Sequence, residues 1–274
     1  MKNLLIALIL TVLAGCAPQT RSLTYVIIPA EEAVKSQGQF EPFVEYLSGR
    51  LGREVELMVV SDYAAVVEAM KYGHADIARF GPFNYVLAMQ EADIEVLVAG
   101  IKENTMGPSY HALIIARADR GVTDLEGKSF AFSDVGSASG YLAPMTYLQE
   151  NGIQPGEIFF SGSHSASIEA VRNGTVDVAA LADNRYLEAL KEGVINIGEF
   201  VILWESSPIP NSPIAVQKSM DPNLKAQILG AFLEAPREIV EGLGIGEVDY
   251  VRIQDSDYDI IRQMQETQER LAGD

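Results

Sequence analysis

Two sixteen-residue segments of the chain, 101 positions apart, resemble each other: YAAVVEAMKYGHADIA at 63–78 and HSASIEAVRNGTVDVA at 164–179. Six of the sixteen aligned positions are identical, and most of the others carry similar side chains. Each segment predicts a helix that a glycine ends, followed by a strand, and this common pattern by itself accounts for part of the identity. If the two segments are copies of one repeated unit, they predict two α/β units in one chain. They pair Tyr63 with His164, each at the start of a helix in its own unit.

Short apolar runs alternate with helical patterns along most of the chain. The predicted strands are 23–28, 55–60, 75–78, 94–101, 129–132, 157–160 and 176–181. This order predicts an α/β fold in which mainly parallel sheets are flanked by helices. The apolar run at 111–116 and the proline-rich stretch at 201–216 interrupt the alternation, so we expect two segments that cross between the units. A cleft between two such units is the natural ligand site.

The N-terminal sequence MKNLLIALILTVLAGC predicts a secretory signal, because its apolar stretch at 4–13 is too short for the roughly 30 Å of hydrocarbon in a bilayer. Its last four residues, LAGC, are similar to a bacterial lipobox, in which Cys16 is acylated; an ordinary cleavage site before a cysteine is the alternative. Cys16 is the only cysteine of the chain, so it cannot form an internal disulfide. We therefore predict a lipoprotein signal peptide at 1–15 and a polar tether at 16–21.

The chain is strongly acidic, with 20 lysines and arginines against 38 aspartates and glutamates. Removal of residues 1–15 takes away one lysine and no acid, which changes the net charge from −18 to −19. Nucleic acid and anionic lipid surfaces are poor partners for such a protein. If the chain binds a small anion, we expect neutral hydrogen-bond donors and local dipoles to hold it, without a lysine or arginine nearby.

The stretch SDVGSASGYLAP at 133–144 allows two kinds of chemistry. A nucleophile elbow needs serine between two glycines in the pattern G-x-S-x-G. Gly136 and Gly140 have the required spacing, but the middle residue is Ala138. A secreted serine hydrolase stays open as an alternative, since catalytic triads are defined by geometry and not by order in the chain. Its triad would consist of Ser137 or Ser139, His164 and Asp183.

The same stretch also has the features of an anion-binding loop. Small residues let backbone N–H groups approach a ligand, serines add hydroxyl donors, and a helix N-terminus carries roughly half a positive charge. All three are combined at 137–140, after the predicted strand at 129–132. Pro144 restricts hydrogen bonding in the first turns, so we expect the regular helix to begin beyond it. An ordinary N-cap serine is the alternative.

Other familiar motifs are incomplete. The sequence GKS at 127–129 lacks the preceding glycine of a phosphate-binding P-loop, because Val122 occupies that position. The histidines have no paired spacing and there is no second cysteine, so we predict neither a metal site nor a cofactor. Those histidines are His74, His111 and His164.

Several segments together resemble one family, the phosphate/phosphite/phosphonate-type substrate-binding proteins of ABC transporters. They are SDYAAVVEAM, RFGPFNY, MGPSYHALII, DLEGKSFAFSDVGSASGYLAP, SGSH and SPIPNSP, and they cover most of residues 23–235. The resemblance implies a type II periplasmic-binding-protein fold, whose two lobes close over a phosphorus oxyanion. Lobe 1 would contain 22–112 plus 206–274 and lobe 2 would contain 113–205, with hinges at about 109–116 and 201–212.

The resemblance also implies which residues bind the ligand. The family's S-[ST]-S-G loop falls on 137–140, where Ala138 replaces a hydroxyl and offers only its backbone N–H. The other implied contacts are the Tyr63 and Tyr110 hydroxyls and the His164 ring. The complete set of implied ligand-binding residues is Tyr63, Tyr110, Ser137, Ala138, Ser139, His164 and Asp183.

Relatives that bind aminoalkyl phosphonates hold the ammonium group with carboxylates. One of those positions falls on Asn211 and Ser212, which are not acidic, and the other falls near Asp183. The resemblance therefore implies a small ligand such as phosphite or methylphosphonate, with phosphate as a further candidate.

The implied protein is a monomer on the extracytoplasmic or periplasmic side of a bacterial membrane, attached only through its N-terminal lipid. It would not be an enzyme, and its partner would be the permease of an ABC importer. A lipid-anchored sensor that passes a ligand signal to a membrane kinase has the same fold and is the second alternative.

Overall fold

The computed structural model describes residues 21–28 and 33–273, without the side chains of 33–36, 272 and 273. The predicted signal peptide, Cys16 and nearly all of the tether lie outside these residues. None of the helices in the described ranges combines the length and the apolar character that a membrane span needs.

Strands and helices alternate along the described chain. The strands are β1 Leu23–Ile27, β2 Val55–Val59, β3 Ile77–Arg79, β4 Ile94–Lys102, β5 Ser109–Tyr110, β6 Ala112–Arg117, β7 Phe130–Phe132, β8 Ile158–Phe160, β9 Val178–Ala182, β10 Phe200–Glu205, β11 Ile209–Pro210, β12 Pro213–Gln217 and β13 Glu247–Arg252. The helices are α1 Ala33–Leu51, α2 Tyr63–Lys71, α3 Pro82–Glu91, α4 Ala143–Glu150, α5 His164–Arg172, α6 Asp183–Lys191, α7 Pro222–Leu233, α8 Arg237–Glu241 and α9 Asp259–Gly273. The described chain also contains short 3₁₀ turns at Ala118–Arg120 and Asp255–Tyr258 and a π-helical turn at Ala138–Leu142.

Two large sheets form the centres of two lobes. The first has the strand order β13-β4-β12-β3-β1-β2, and the second has the order β10-β6-β9-β7-β8. Both are mixed, because only the neighbours of β1 and of β7 run parallel to them, whereas every other pair is antiparallel. The prediction of mainly parallel sheets is therefore wrong. Strands β6 and β12 enter their sheets straight from a crossing segment, without the helical crossover that parallel pairing requires.

The two crossing segments pair with each other as they pass between the lobes. Strands β5 and β11 form a two-stranded antiparallel ribbon, in which Tyr110 lies opposite Ile209 and Ser109 lies opposite Pro210. The hydroxyl of Tyr258 donates to the backbone carbonyl of Asn211, 2.7 Å away, just after the ribbon. This ribbon fixes Tyr110 at the boundary between the lobes.

The sequence repeat corresponds to two helices with the same construction. Helix α2 begins at Tyr63 and helix α5 begins at His164. Asp62 and Ser163 are the N-caps, and each side chain accepts a hydrogen bond from the backbone N–H three residues ahead, at 2.9 Å and 3.1 Å. Such caps satisfy N–H groups that have no acceptor within the helix. The aligned pair therefore occupies equivalent positions at the starts of two helices.

The helices cover both faces of each sheet. On one face of the first sheet, Tyr25, Phe43, Phe232 and Tyr250 form a buried aromatic cluster with α1 and α7. On the other face, α2, α3 and α9 pack into a second core. This second core continues into the other lobe through buried residues of the π-helical turn, so the two lobes are in contact in this structure.

Candidate functional site

A cleft lies between the two lobes. Its walls include the ends of strands from both sheets, the start of α2, the start of α5 and the loop before α4. Of the predicted site residues, the structure brings six together in its lining: Tyr63, Tyr110, Ser137, Ala138, Ser139 and His164. Both lobes contribute to this set, so the cleft presents side chains from both.

The loop after β7 forms the start of a helix within the cleft. Ser137 is the N-cap of the π-helical turn, and its hydroxyl oxygen accepts a hydrogen bond from the backbone N–H of Gly140 at 3.0 Å. The helix therefore begins before Pro144 and not beyond it, because the wider turn, closed by Leu142 N–H to the Ser137 carbonyl at 3.0 Å, precedes the proline. The first N–H groups of any helix lack an internal acceptor and can point to an anion.

Because Gly140 has no side chain, it leaves room for Ser133, a residue that the sequence analysis did not select. A Cβ atom at position 140 would lie 1.6 Å from the Ser133 hydroxyl oxygen and 2.9 Å from that of Ser137. Ser133 lines the cleft and is only 1% exposed. Its hydroxyl has no hydrogen-bond partner within the described chain. An unpartnered buried hydroxyl is costly unless a ligand satisfies it, so Ser133 is a further candidate donor.

Two tyrosine hydroxyls, from Tyr63 at the start of α2 and Tyr110 in the connecting ribbon, face the two serines of the helix start. Burial raises the pKa of Tyr63, and a hydrogen bond with the Ser137 side chain acts in the opposite direction. Burial likewise raises the pKa of Tyr110, against a hydrogen bond with Ser139. Both phenols therefore stay protonated near neutral pH and can donate to an oxyanion.

His164 is the first residue of α5 and is neutral at physiological pH. Burial lowers its pKa to about 3, with a further contribution from the nearby charge of Arg185. Its Nδ1 atom is buried and makes no hydrogen bond with any described residue. A neutral imidazole carries one N–H donor, so the ring can donate one hydrogen bond to a ligand.

Asp183 does not join the cleft lining. One of its carboxylate oxygens accepts from the Asn104 side chain at 2.9 Å, and the other accepts from the backbone N–H of Asn184 at 2.6 Å. Within the described residues there is no hydrogen bond between Asp183 and His164, so the geometry of a serine–histidine–aspartate triad is not present. The serine hydrolase alternative therefore has no support in this arrangement.

Cationic side chains in the cleft were missed by the sequence analysis. Arg79, Lys102 and Arg185 all line it, although the sequence had predicted an anion site without lysine or arginine nearby. Both Nη atoms of Arg79 donate to the carboxylate of Glu247, at 2.6 and 3.1 Å. That carboxylate lies 3.5 Å from the Lys102 amine. The prediction is wrong because the three cations come from separate elements, β3, β4 and α6, and no local motif marks them.

The turn after β11 is free of acidic groups, as the sequence indicated. Asn211 and Ser212 both line the cleft. The amide nitrogen of Asn211 donates to the Gly100 carbonyl at 2.8 Å and to Glu247 at 2.9 Å. This side chain is therefore fixed by two buried acceptors. Among the described residues, no group of histidine, cysteine and acidic side chains has a metal-binding arrangement.

Two lobes, a connecting ribbon and a cleft with donors from both lobes define a two-lobed solute-binding protein of the periplasmic type. The sequence pattern of the family described as "ABC transporter, phosphonate, periplasmic substrate-binding protein" matches residues 25–258. The chain belongs to this family.

Individual relatives agree with this membership. The chain is 32% identical over 255 residues to the phosphate-import protein PhnD of Mycolicibacterium smegmatis, and the aligned region covers 87% of this chain and 79% of the relative. A binding protein component of an ABC phosphonate transporter from Pseudomonas aeruginosa has the same fold, with a TM-score of 0.82 and 22% identity over 92% of this chain and 87% of that one. PhnD1 from Prochlorococcus marinus, solved in complex with methylphosphonate, gives a TM-score of 0.81 with 18% identity, over 89% of this chain and 97% of that one.

Proposed function

We propose that this chain captures a small phosphorus oxyanion in the cleft between its lobes and delivers it to the permease of an ABC importer. The observation that carries the proposal is the convergence of donors from both lobes: the Tyr63 and Tyr110 hydroxyls, the helix start at Ser137 and Ser139, and the neutral ring of His164. The names of the relatives support the ligand class, since one imports phosphate and another was solved with methylphosphonate.

The expected ligands are phosphite, methylphosphonate and phosphate. Each hydrogen bond to a charged group contributes roughly 1.5–3 kcal/mol net. About five such bonds, less the free energy of closing the lobes, give micromolar affinity or better. The ligand stabilises the closed form because Tyr63 contacts it from lobe 1 while His164 and the helix start contact it from lobe 2.

Further parts of the proposal rest on the sequence and on the family resemblance. The chain acts as a monomer without a cofactor and is not an enzyme. It is held at the extracytoplasmic face of the membrane through a lipid on Cys16, after removal of residues 1–15. Mass spectrometry of the mature protein tests the anchor: an acylated N-terminal Cys16 supports it, and an unmodified cysteine contradicts it.

A thermal-shift and calorimetric panel tests the ligand class. The ligands are phosphite, hypophosphite, phosphate, methylphosphonate and 2-aminoethylphosphonate, with sulfate as the control anion. A ligand at 100 times its dissociation constant adds about 2.7 kcal/mol of stability. If no phosphorus oxyanion shifts the melting temperature, the proposed function is wrong.

Loss of a predicted donor weakens binding. We expect His164→Ala and Ser139→Ala each to raise the dissociation constant of the best ligand at least tenfold, or about 1.4 kcal/mol, because each removes a hydrogen bond to a charged group. The melting temperature of the ligand-free variants stays close to that of the wild type. Ser165→Ala on helix α5, outside the cleft lining, is the matched control. Unchanged calorimetric affinity in both variants overturns the site assignment.

Ser133→Ala tests the donor that the structure adds. The hydroxyl has no partner in the described structure, so its removal leaves the ligand-free protein at least as stable as the wild type. We expect ligand affinity to fall about three- to tenfold, since one hydrogen bond to the oxyanion is lost. Equal affinity by calorimetry means that Ser133 does not contact the ligand.

A further inference from the structure

Three groups from both lobes meet at one turn beside the cleft. The Lys102 amine donates to the Ile245 carbonyl at 2.7 Å, and the amide of Asn184 approaches the same oxygen at 3.4 Å. The guanidinium of Arg185 donates to the Gly244 carbonyl at 3.4 Å. All three side chains also line the cleft. Arg79 also lines the cleft and shares Glu247 with Lys102. We call the three cations Arg79, Lys102 and Arg185 the cationic wing.

The cationic wing is short of negative charge. Among the described residues its three cations pair with two carboxylates, Glu247 for Arg79 and Lys102, and Glu188 for Arg185. Glu247 is 1% exposed, lies outside the cleft lining and also accepts from Asn211, so its oxygens are fully used by the protein. Among the described residues, these three cations and two carboxylates therefore sum to a net charge of one positive unit.

The pKa of the Lys102 amine reflects this lack of negative charge. Burial lowers its pKa to about 8, and Arg79 and Arg185 act in the same direction, whereas Glu247 only partly compensates. A buried cation in this condition is stabilised by any anion that approaches it. An ammonium group in the same place would meet like charges instead.

We propose that the cationic wing receives a second anionic group of the ligand, so that the chain takes phosphorus oxyanions carrying a carboxylate in preference to aminoalkyl phosphonates. The inference rests on the proposed function, in which the phosphorus group occupies the donors around Ser137 and His164. The cations on β3, β4 and α6 line the same cleft as those donors, together with the acid-free turn at Asn211, and favour a ligand that carries additional negative charge.

Three ligands that differ only in the far group test this selectivity: phosphonoacetate, its neutral isostere phosphonoacetamide, and the ammonium compound 2-aminoethylphosphonate. By calorimetry we expect phosphonoacetate to bind at least tenfold more tightly than phosphonoacetamide, and 2-aminoethylphosphonate to bind most weakly. Equal affinity for phosphonoacetate and its amide, or tightest binding of the ammonium compound, overturns the inference.

Variants identify the groups responsible. Arg185→Gln and Lys102→Met should each reduce the preference for phosphonoacetate over phosphonoacetamide at least threefold. Lys191→Gln is the matched control, because Lys191 is an exposed cation on the same helix as Arg185. Arg185 is partly exposed and keeps the test valid if Lys102→Met fails to fold. A preference that persists unchanged in Arg185→Gln contradicts the assignment.

Methylphosphonate, phosphite and phosphate are measured in the same series. If none of them binds, the proposed function fails. If they bind while phosphonoacetate shows no preference over its amide, only the cationic wing inference fails.

Discussion

Replacement of Gly136 by alanine is expected to weaken ligand binding at least tenfold while leaving the ligand-free protein as stable as the wild type. In the structure the ring of Tyr63 stands between Gly81 and Gly136. A Cβ atom at position 136 would lie 2.7 Å from the Tyr63 Cβ and 3.2 Å from its Cγ. These atoms are close to the backbone and cannot swing aside. The added methyl group therefore opposes the approach of the two lobes, because Gly136 and Tyr63 belong to different lobes.

Isothermal calorimetry and small-angle scattering measure this effect. We expect the wild-type protein to contract when ligand is added and Gly136→Ala to stay more open at the same ligand excess. Gly49→Ala is the control, since no atom lies within 4 Å of a Cβ at that position. If Gly136→Ala binds as tightly as the wild type, the contact between Gly136 and Tyr63 does not limit closure.

Glu247→Gln is expected to lower the free energy of unfolding by about 3–5 kcal/mol, because it leaves two buried cations without their carboxylate. Burial opposes the charged form of Glu247, but Arg79 and Lys102 outweigh it and hold the pKa of the carboxyl below its ordinary value. Glutamine has nearly the same shape, so the change tests charge and not packing. Shape matters here, since the Glu247 carboxyl carbon lies 2.1 Å from where a Cβ of Gly100 would be.

Urea unfolding at several pH values measures this loss. A carboxyl with a lowered pKa in the folded state stabilises the protein above its unfolded pKa of about 4.3, and that stability disappears as the pH falls through the folded value. The difference between wild type and Glu247→Gln should therefore be full at pH 7 and shrink in acid. Asp249→Asn, an exposed acid on the same strand, is the control. A loss below 1 kcal/mol at pH 7 contradicts the expected effect.

The part of this fold that the sequence could predict is the part governed by local patterns. Helices α2 and α5 begin at Tyr63 and His164, the two residues that the repeat aligned. A polar cap, an apolar face and a glycine stop all lie within about a dozen residues, so short-range physics specifies them. The helix start at Ser137 could be predicted from the sequence for the same reason.

The features that could not be predicted from the sequence depend on contacts between residues far apart in the chain. Arg79 and Glu247 are 168 positions apart in the chain. They meet because the first sheet contains both β3 and β13, with only β12 and β4 between them. The antiparallel strands were missed for a related reason, because strand direction depends on where a connection arrives. Ser133 lay inside the stretch that drew attention at once, yet its free hydroxyl becomes visible only when Gly140 is placed beside it.

The matched construction of α2 and α5 has a consequence for how such a protein can change over generations. Both copies retain a side-chain cap before the helix and a left-handed glycine after it, Gly73 and Gly174. They differ at the first helical residue, which is a phenol in one lobe and an imidazole in the other. The cap and the glycine keep their places in both copies, whereas this first helical residue, which lines the cleft, differs. Under the proposed function, positions 63 and 164 are therefore places where a substitution can change ligand choice without rebuilding either lobe.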